Sequence, residues 1–227
     1  MNTVDLIILS STSFYNQLKM DENARYRSWE HCYTHFYYAR NNPTANFDYL
    51  SLHLAFYLAS WGMYRGSSFL LQKDYRIHIP VIQELLKSKY NPLFGIECVE
   101  YRKLENQKLL WELNTFMEDY YNGVRMSVKE VLPQTGLSHT LITKTLMGSL
   151  GCVPAYDRYF ISGVKSQNVA TGSYNIRSLL MLADFYEKNY VKLEQARTHL
   201  RMGEMIYPQM KLLDMGFWQI GFDLDIT

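Results

Sequence analysis

At 227 residues, with 48% apolar and 20% charged side chains, the chain carries enough apolar material for a substantial core and too much for a disordered polymer. A formal net charge of +1 excludes bulk attraction to nucleic acid; a basic excess is confined to residues 137–201, with eight Lys and Arg against four Asp and Glu. Cys32, Cys98 and Cys152 form no CxxC pair, which excludes a local cysteine zinc site or a four-cysteine iron–sulfur cluster. Their odd number also argues against a disulfide framework and for a reducing, cytoplasmic setting.

The first residues, MNTVDLIILSS, place Asp5 ahead of a very short apolar run without a basic region, unlike a signal peptide. Asp21 is positioned to cap a helix over about 23–40, where Tyr26, Trp29, Tyr33 and Phe36 or Tyr37 mark one aromatic face. Asn42-Pro43 ends it. The next helix, about 47–64, is apolar round most of its circumference (Leu50, Leu52, Leu54, Phe56, Leu58, Trp61), which predicts a central, buried position. The most apolar stretch, Leu50 to Tyr64, contains His53, Ser51 and Ser60 and is too short to span a bilayer, so no membrane partner is expected.

Arg65-Gly66-Ser67-Ser68 breaks that helix and a shorter helical piece, 69–74, follows. Residues 79–90 read as an amphipathic helix stopped by Asn91-Pro92, and 100–121 as a long one stopped by Asn122-Gly123. Ser127 and Glu130 have capping-box spacing for a short further helix. Pro133 to Gly136 is a turn signal, and Ser138 can cap a helix carrying Leu141, Ile142, Leu146, Met147 and Leu150 until Gly151. Pro154 holds the following residues extended, and Asp157 opens the helix DRYFISGV. Ser173 can cap 174–190, and helices over 192–202 and 204–219 complete the chain. Strand-like alternation is scarce and no repeat or linker divides the sequence. The expected fold is therefore all-α, as one domain or two interleaved helical halves.

The order of parts over 132–160 resembles the helix-hairpin-helix DNA glycosylase superfamily. Leu132-Pro133-Gln134-Thr135-Gly136 matches the family's hairpin, a helix then ends at Gly151, and Val153-Pro154-Ala155-Tyr156-Asp157 leads to a functional Asp. Gln134 stands in place of the hairpin's first glycine, and the run from Gly136 to Asp157 is about one residue longer than is usual in the family. His139 falls where lyase-type members carry lysine, so the resemblance implies a monofunctional hydrolase acting with water. It further implies duplex DNA as partner, no cofactor, and Asp157 as the carboxylate that stabilises charge developing on the sugar. His139 would orient water or contact phosphate; Gly136, Ser138, Lys144 and Arg65 would grip the backbone; Trp61, Tyr64 and Tyr156 would wall the base.

Each of these residues also has a plainer reading. An Asp before a helix is a common N-cap, a first-turn His is commonly a surface residue, and the hairpin serves equally as a simple helix–helix turn. The dense segment 60–68, with Arg65 between two glycines, reads as a pocket wall or as a helix stop with an ion pair. His31 and His35 share a helix face, but no HExxH or comparable spacing occurs and no metal is expected. Against the enzyme stands a second class, a non-catalytic all-α interaction module that uses its tyrosines, 19 in all, to engage a protein or small ligand.

Overall fold

Asn2 accepts a hydrogen bond from the Asp5 amide at 2.9 Å and so starts a helix that the short apolar run alone does not announce. In the computed structural model, which describes residues 1–66, 68–128 and 137–226 (main chain only at 226), that helix is α1, Thr3–Met20. It is followed by α2 (Ser28–Ala39), α3 (Phe47–Ser60), α4 (Ile79–Leu85) and α5 (Leu104–Met126). Beyond these come α6 (His139–Ser149), α7 (Arg158–Ser166), α8 (Ile176–Lys188), α9 (Tyr190–Arg197) and α10 (Gln209–Ile226). The strands among the described residues, β1 (Arg201–Met202) and β2 (Met205–Ile206), form one antiparallel pair turning at Gly203, φ 57°. The fold is all-α.

Several helix ends differ from the sequence pattern for identifiable reasons. Gly123 does not stop α5, because a single glycine costs a helix only about 1 kcal/mol and the helix continues to Met126. Ser127 then turns its hydroxyl back to the Val124 carbonyl at 2.6 Å, while Glu130 and the rest of the capping box lie outside the described residues. The long pattern over 79–90 divides into α4 and a 3₁₀ segment, Ser88–Leu93, with Pro92 inside it. Asn175, rather than Ser173, caps α8 by accepting from the Ser178 amide at 2.9 Å. Ser138 and Asp157 cap α6 and α7 as expected.

The chain divides into two units. The first comprises Met1–Ala24, Gly95–Gln107 and Gly151–Thr227. Its axis is the crossing of α7 with α10, where Gly163 and Gly221 let the two backbones approach: a Cβ on Gly221 would stand 1.9 Å from the Tyr159 carbonyl oxygen. α1 packs on the other flank of α10 through Ile7 at Gly216 and Phe14 against the Trp218 ring. A half-buried polar network ties α9 to the start of α10. Glu194 accepts from Arg197, Tyr186 and Gln209, and the Gln209 side-chain Oε1 accepts from the Cys98 amide at 2.6 Å.

The second unit comprises Arg25–Phe94 and Lys108–Leu150. α2 and α3 pack on each other and on α6, and the Trp29 indole donates to the Met147 carbonyl at 2.9 Å. α3 ends in a Schellman motif: Met63 N–H reaches the Leu58 carbonyl at 2.8 Å, Gly62 N–H reaches that of Ala59, and Gly62 takes φ 78°. That motif accounts for a glycine in the dense 60–68 segment without any ligand. α3 is not buried all round as its composition predicts. Tyr49, Leu52 and Phe56 are 46%, 50% and 63% exposed. All three cysteines are buried free thiols, and among the described residues no helix is long and apolar enough to cross a membrane.

Candidate functional site

The sequence-derived site residues fall in both units. In the first, Gly151 takes φ 64°, which a residue with a Cβ resists, and ends the helical path. The extended link that follows is held by buried partners. The Tyr101 hydroxyl donates to the Cys152 carbonyl, and the Ala155 amide donates to Asp214 Oδ1 at 2.8 Å. Asp214 is itself paired with Lys211 at 2.8 Å, both side chains being almost wholly buried on α10. Asp157 emerges half-buried, with Oδ1 accepting from the Phe160 amide at 3.2 Å. Its observed role is therefore that of a helix cap. Tyr156, expected as a wall for a stacked base, is instead a core residue: its ring meets Phe160 and Tyr174, and its hydroxyl donates to Ser178 Oγ at 3.0 Å.

In the second unit the structure joins Trp61 to Lys144. The Lys144 ammonium is buried, donates to the Trp61 carbonyl at 2.7 Å and sits 5.7 Å from the indole centroid. It thus satisfies a carbonyl at the end of α3, as cations at helix C-termini do, and is not presented to a phosphate. The Trp61 ring, half-buried, leans on Tyr26 at 4.6 Å. Arg65 is exposed and folds back over Gly62. Ser138 is spent on the Thr140 amide at 3.1 Å. His139 is exposed, 3.6 Å from a carboxylate oxygen of Glu118, a neighbour unfavourable to phosphate. Gly136 and the hairpin lie outside the described residues.

Tyr64 belongs to a chain that the sequence does not reveal. Its hydroxyl lies 2.8 Å from His78 Nε2, and His78 Nδ1 lies 2.7 Å from the Tyr121 hydroxyl. His78 is fully buried, and loss of solvent pushes its pKa from the ordinary 6.5 down to about 3, so the ring is neutral. Burial, with the Asp74 charge nearby, raises Tyr64 to about 12, and burial raises Tyr121 further. Only an isolated His78 is visible in the sequence, since its partners lie 14 and 43 positions away.

A second cluster sits between α2 and α3. The imidazoles of His35 and His53 lie 3.9 Å apart between centroids, and the Tyr49 hydroxyl is 3.3 Å from His35 Nε2. Burial first, then the charge of His31, lowers the His35 pKa. Burial first, then His35 and His31, lowers that of His53 to about 4. The i, i+4 spacing of His31 and His35 is legible in the sequence, but the third ring comes from another helix. Among the described residues no group of three or more His, Cys, Asp or Glu is arranged to hold a metal ion. Around the imidazoles, Tyr38, Tyr49, Leu52 and Phe56 are exposed, and the charged residue one turn before Leu52, Asp48, is paired with Arg76 at 3.1 Å.

The chain matches no known family model, no curated protein and no solved structure.

Proposed function

We propose that this chain is a non-catalytic, all-α interaction module that receives a protein partner on the shared face of α2 and α3. The observation carrying this reading is the exposed row Tyr49, Leu52 and Phe56 on α3, continued by Tyr38 on α2. Their spacing of i, i+3, i+7 puts the α3 residues on one stripe, and a cluster of large exposed apolar side chains marks an interaction surface more often than a lone one does. Aromatic anchors contribute most of the binding energy in protein interfaces. Arg76, at the N-terminal end of this face, is neutralised by Asp48 at 3.1 Å, so the row suits an uncharged apolar protein surface more than a phosphate backbone.

The test replaces Phe56 or, as a control on the other unit, the equally bare Leu9 with a photo-reactive phenylalanine analogue in cells producing the chain. A protein crosslinked from position 56 and not from 9 is then purified and titrated against the chain. Phe56→Asp is expected to weaken that complex about 30-fold, as for loss of an anchor worth about 2 kcal/mol, with melting temperature unchanged. Affinity should hold as salt is raised. Equal crosslinking from both positions, or an affinity indifferent to Phe56→Asp, rejects the reading.

One feature favours the enzymatic alternative: a left-handed Gly151, a rigidly held extended link and a carboxylate at the head of α7 follow the glycosylase-like order. On that reading Asp157 acts in hydrolysis of a base–sugar bond. Asp157→Asn preserves the cap, so stability should change by less than about 1 kcal/mol. Base release from duplexes carrying single damaged or mismatched bases should nevertheless vanish, because an amide cannot stabilise positive charge. Release that survives Asp157→Asn removes Asp157 from catalysis; absence of release from every wild-type digest leaves the interaction module alone.

A further inference from the structure

We infer that the imidazole cluster of His31, His35 and His53 makes docking on the α2–α3 face acid-sensitive: neutral rings leave the face open to an apolar partner, and protonation closes it. The inference rests on the docking reading and adds its regulation. The cluster lies inside the apolar face, not beside it. His53 shares a stripe with Tyr49 and Phe56, and His35 shares one with Tyr38. With centroids 3.9 Å apart, His35 and His53 pack as neutral rings; two imidazolium ions at that separation repel.

The surroundings supply no countercharge. The charged neighbours are committed elsewhere: on α3 Asp48 to Arg76 at 3.1 Å and to Tyr75, on α2 Glu30 to Arg27 at 3.2 Å, and on adjoining elements Glu84 to Lys87 and Lys89 and Lys144 to the Trp61 carbonyl. The charges felt by His35 and His53 are those of other histidines, and all act in the same direction. Tyr49 links titration to the exposed row. Its hydroxyl shares a hydrogen bond with His35 Nε2, and its ring stands edge-on to both His35 and His53. When His35 takes a proton from solvent, both ring nitrogens become donors, and the Tyr49 hydroxyl can then stay only as an acceptor. Acid thus does two things at the same place: it breaks the stack and adds charge where an apolar partner must desolvate it.

The test uses the full chain with isotope-labelled histidine, followed by NMR from about pH 7.5 to about pH 3.5, with Nile red as an uncharged probe of the face. The signals of His35 and His53 are expected to titrate below the ordinary imidazole range, and that of His53 to move upward in His35→Gln. Nile red bound at the upper pH, and lost in Phe56→Asp, should fall at least about ten-fold in affinity over the same midpoints while near-UV circular dichroism stays constant. The double variant His35→Gln, His53→Gln should hold the dye throughout. Uncoupled titration at ordinary values, or dye release unaltered in the double variant, overturns the gate. Dye that never binds the neutral wild type overturns the docking face beneath it.

Discussion

Gly221→Ala is expected to cost the first unit roughly 3 kcal/mol or more, at or above the upper end of the usual overpacking penalty. A Cβ at this position would stand 1.9 Å from the Tyr159 carbonyl oxygen and 2.7 Å from its carbon, and one on Gly163 would stand 2.0 Å from the Phe217 oxygen. Both obstacles are main chain inside helices, so no rotamer change relieves them; α7 and α10 must move apart. Such separation uncovers Phe160 and Phe217, whose rings meet edge to face across the crossing. Gly123→Ala provides the contrast. Nothing lies within 4 Å of its Cβ position in α5, so alanine should stabilise by about 0.5–1 kcal/mol. Urea unfolding of the two variants, read by midpoint and slope, checks both signs. A Gly221→Ala midpoint equal to wild type would mean that the helices do not cross this closely.

Acid should weaken the second unit through His78. Its folded pKa is pushed from 6.5 to about 3, so the unfolded ring takes up a proton well before the folded one. The stabilisation is therefore complete above about pH 6.5 and is lost as pH falls toward about 3, the sign of a depressed folded pKa. At about pH 5, roughly 1.5 units below the unfolded value, the loss is about 2 kcal/mol. His53, depressed in the same direction but far more exposed, adds slope of the same sign. His78→Gln, which retains hydrogen-bonding capacity toward Tyr64 and Tyr121, is expected to cost about 1–3 kcal/mol near neutral pH and to flatten the profile below it. Chemical denaturation at about pH 7.5, 6 and 5 measures this; parallel wild-type and variant profiles would remove His78 as the cause.

What the sequence discloses follows the range of the forces involved. Ser138, Gly151 and Asp157 are legible because a cap or a helix stop acts within three residues of itself. Gly123 misleads for the same reason: the local preference is real but small, and it is overridden inside a long helix. α3 reads as central because apolar content cannot show which side of a helix has a neighbour, and that is where Leu52 and Phe56 lie exposed. Lys144 and Tyr156 look like site residues by position along the motif. Their burial is decided by Trp61 and Ser178, 83 and 22 positions away. The His78 chain and the His35–His53 stack need pairs of elements that only folding brings together.

The packing of α1 on α10 has a consequence for the order of events during synthesis. Of the helices described, α1 leaves the ribosome first and α10 last, yet Ile7 and Phe14 find Gly216 and Trp218 on that final helix. Loop closure over so long a span costs little more at equilibrium than over a shorter one, because the entropy grows only with the logarithm of length. In time the delay is much larger. At about 5–20 residues per second, α1 must wait some tens of seconds with its apolar side uncovered. Meanwhile most of the second unit, whose pieces emerge between those two helices, has its own partners at hand. The unit begun first is the one completed last, so a holding chaperone has its natural target in the nascent α1, and a circular permutation joining α10 to α1 should shorten that exposure without altering the finished core.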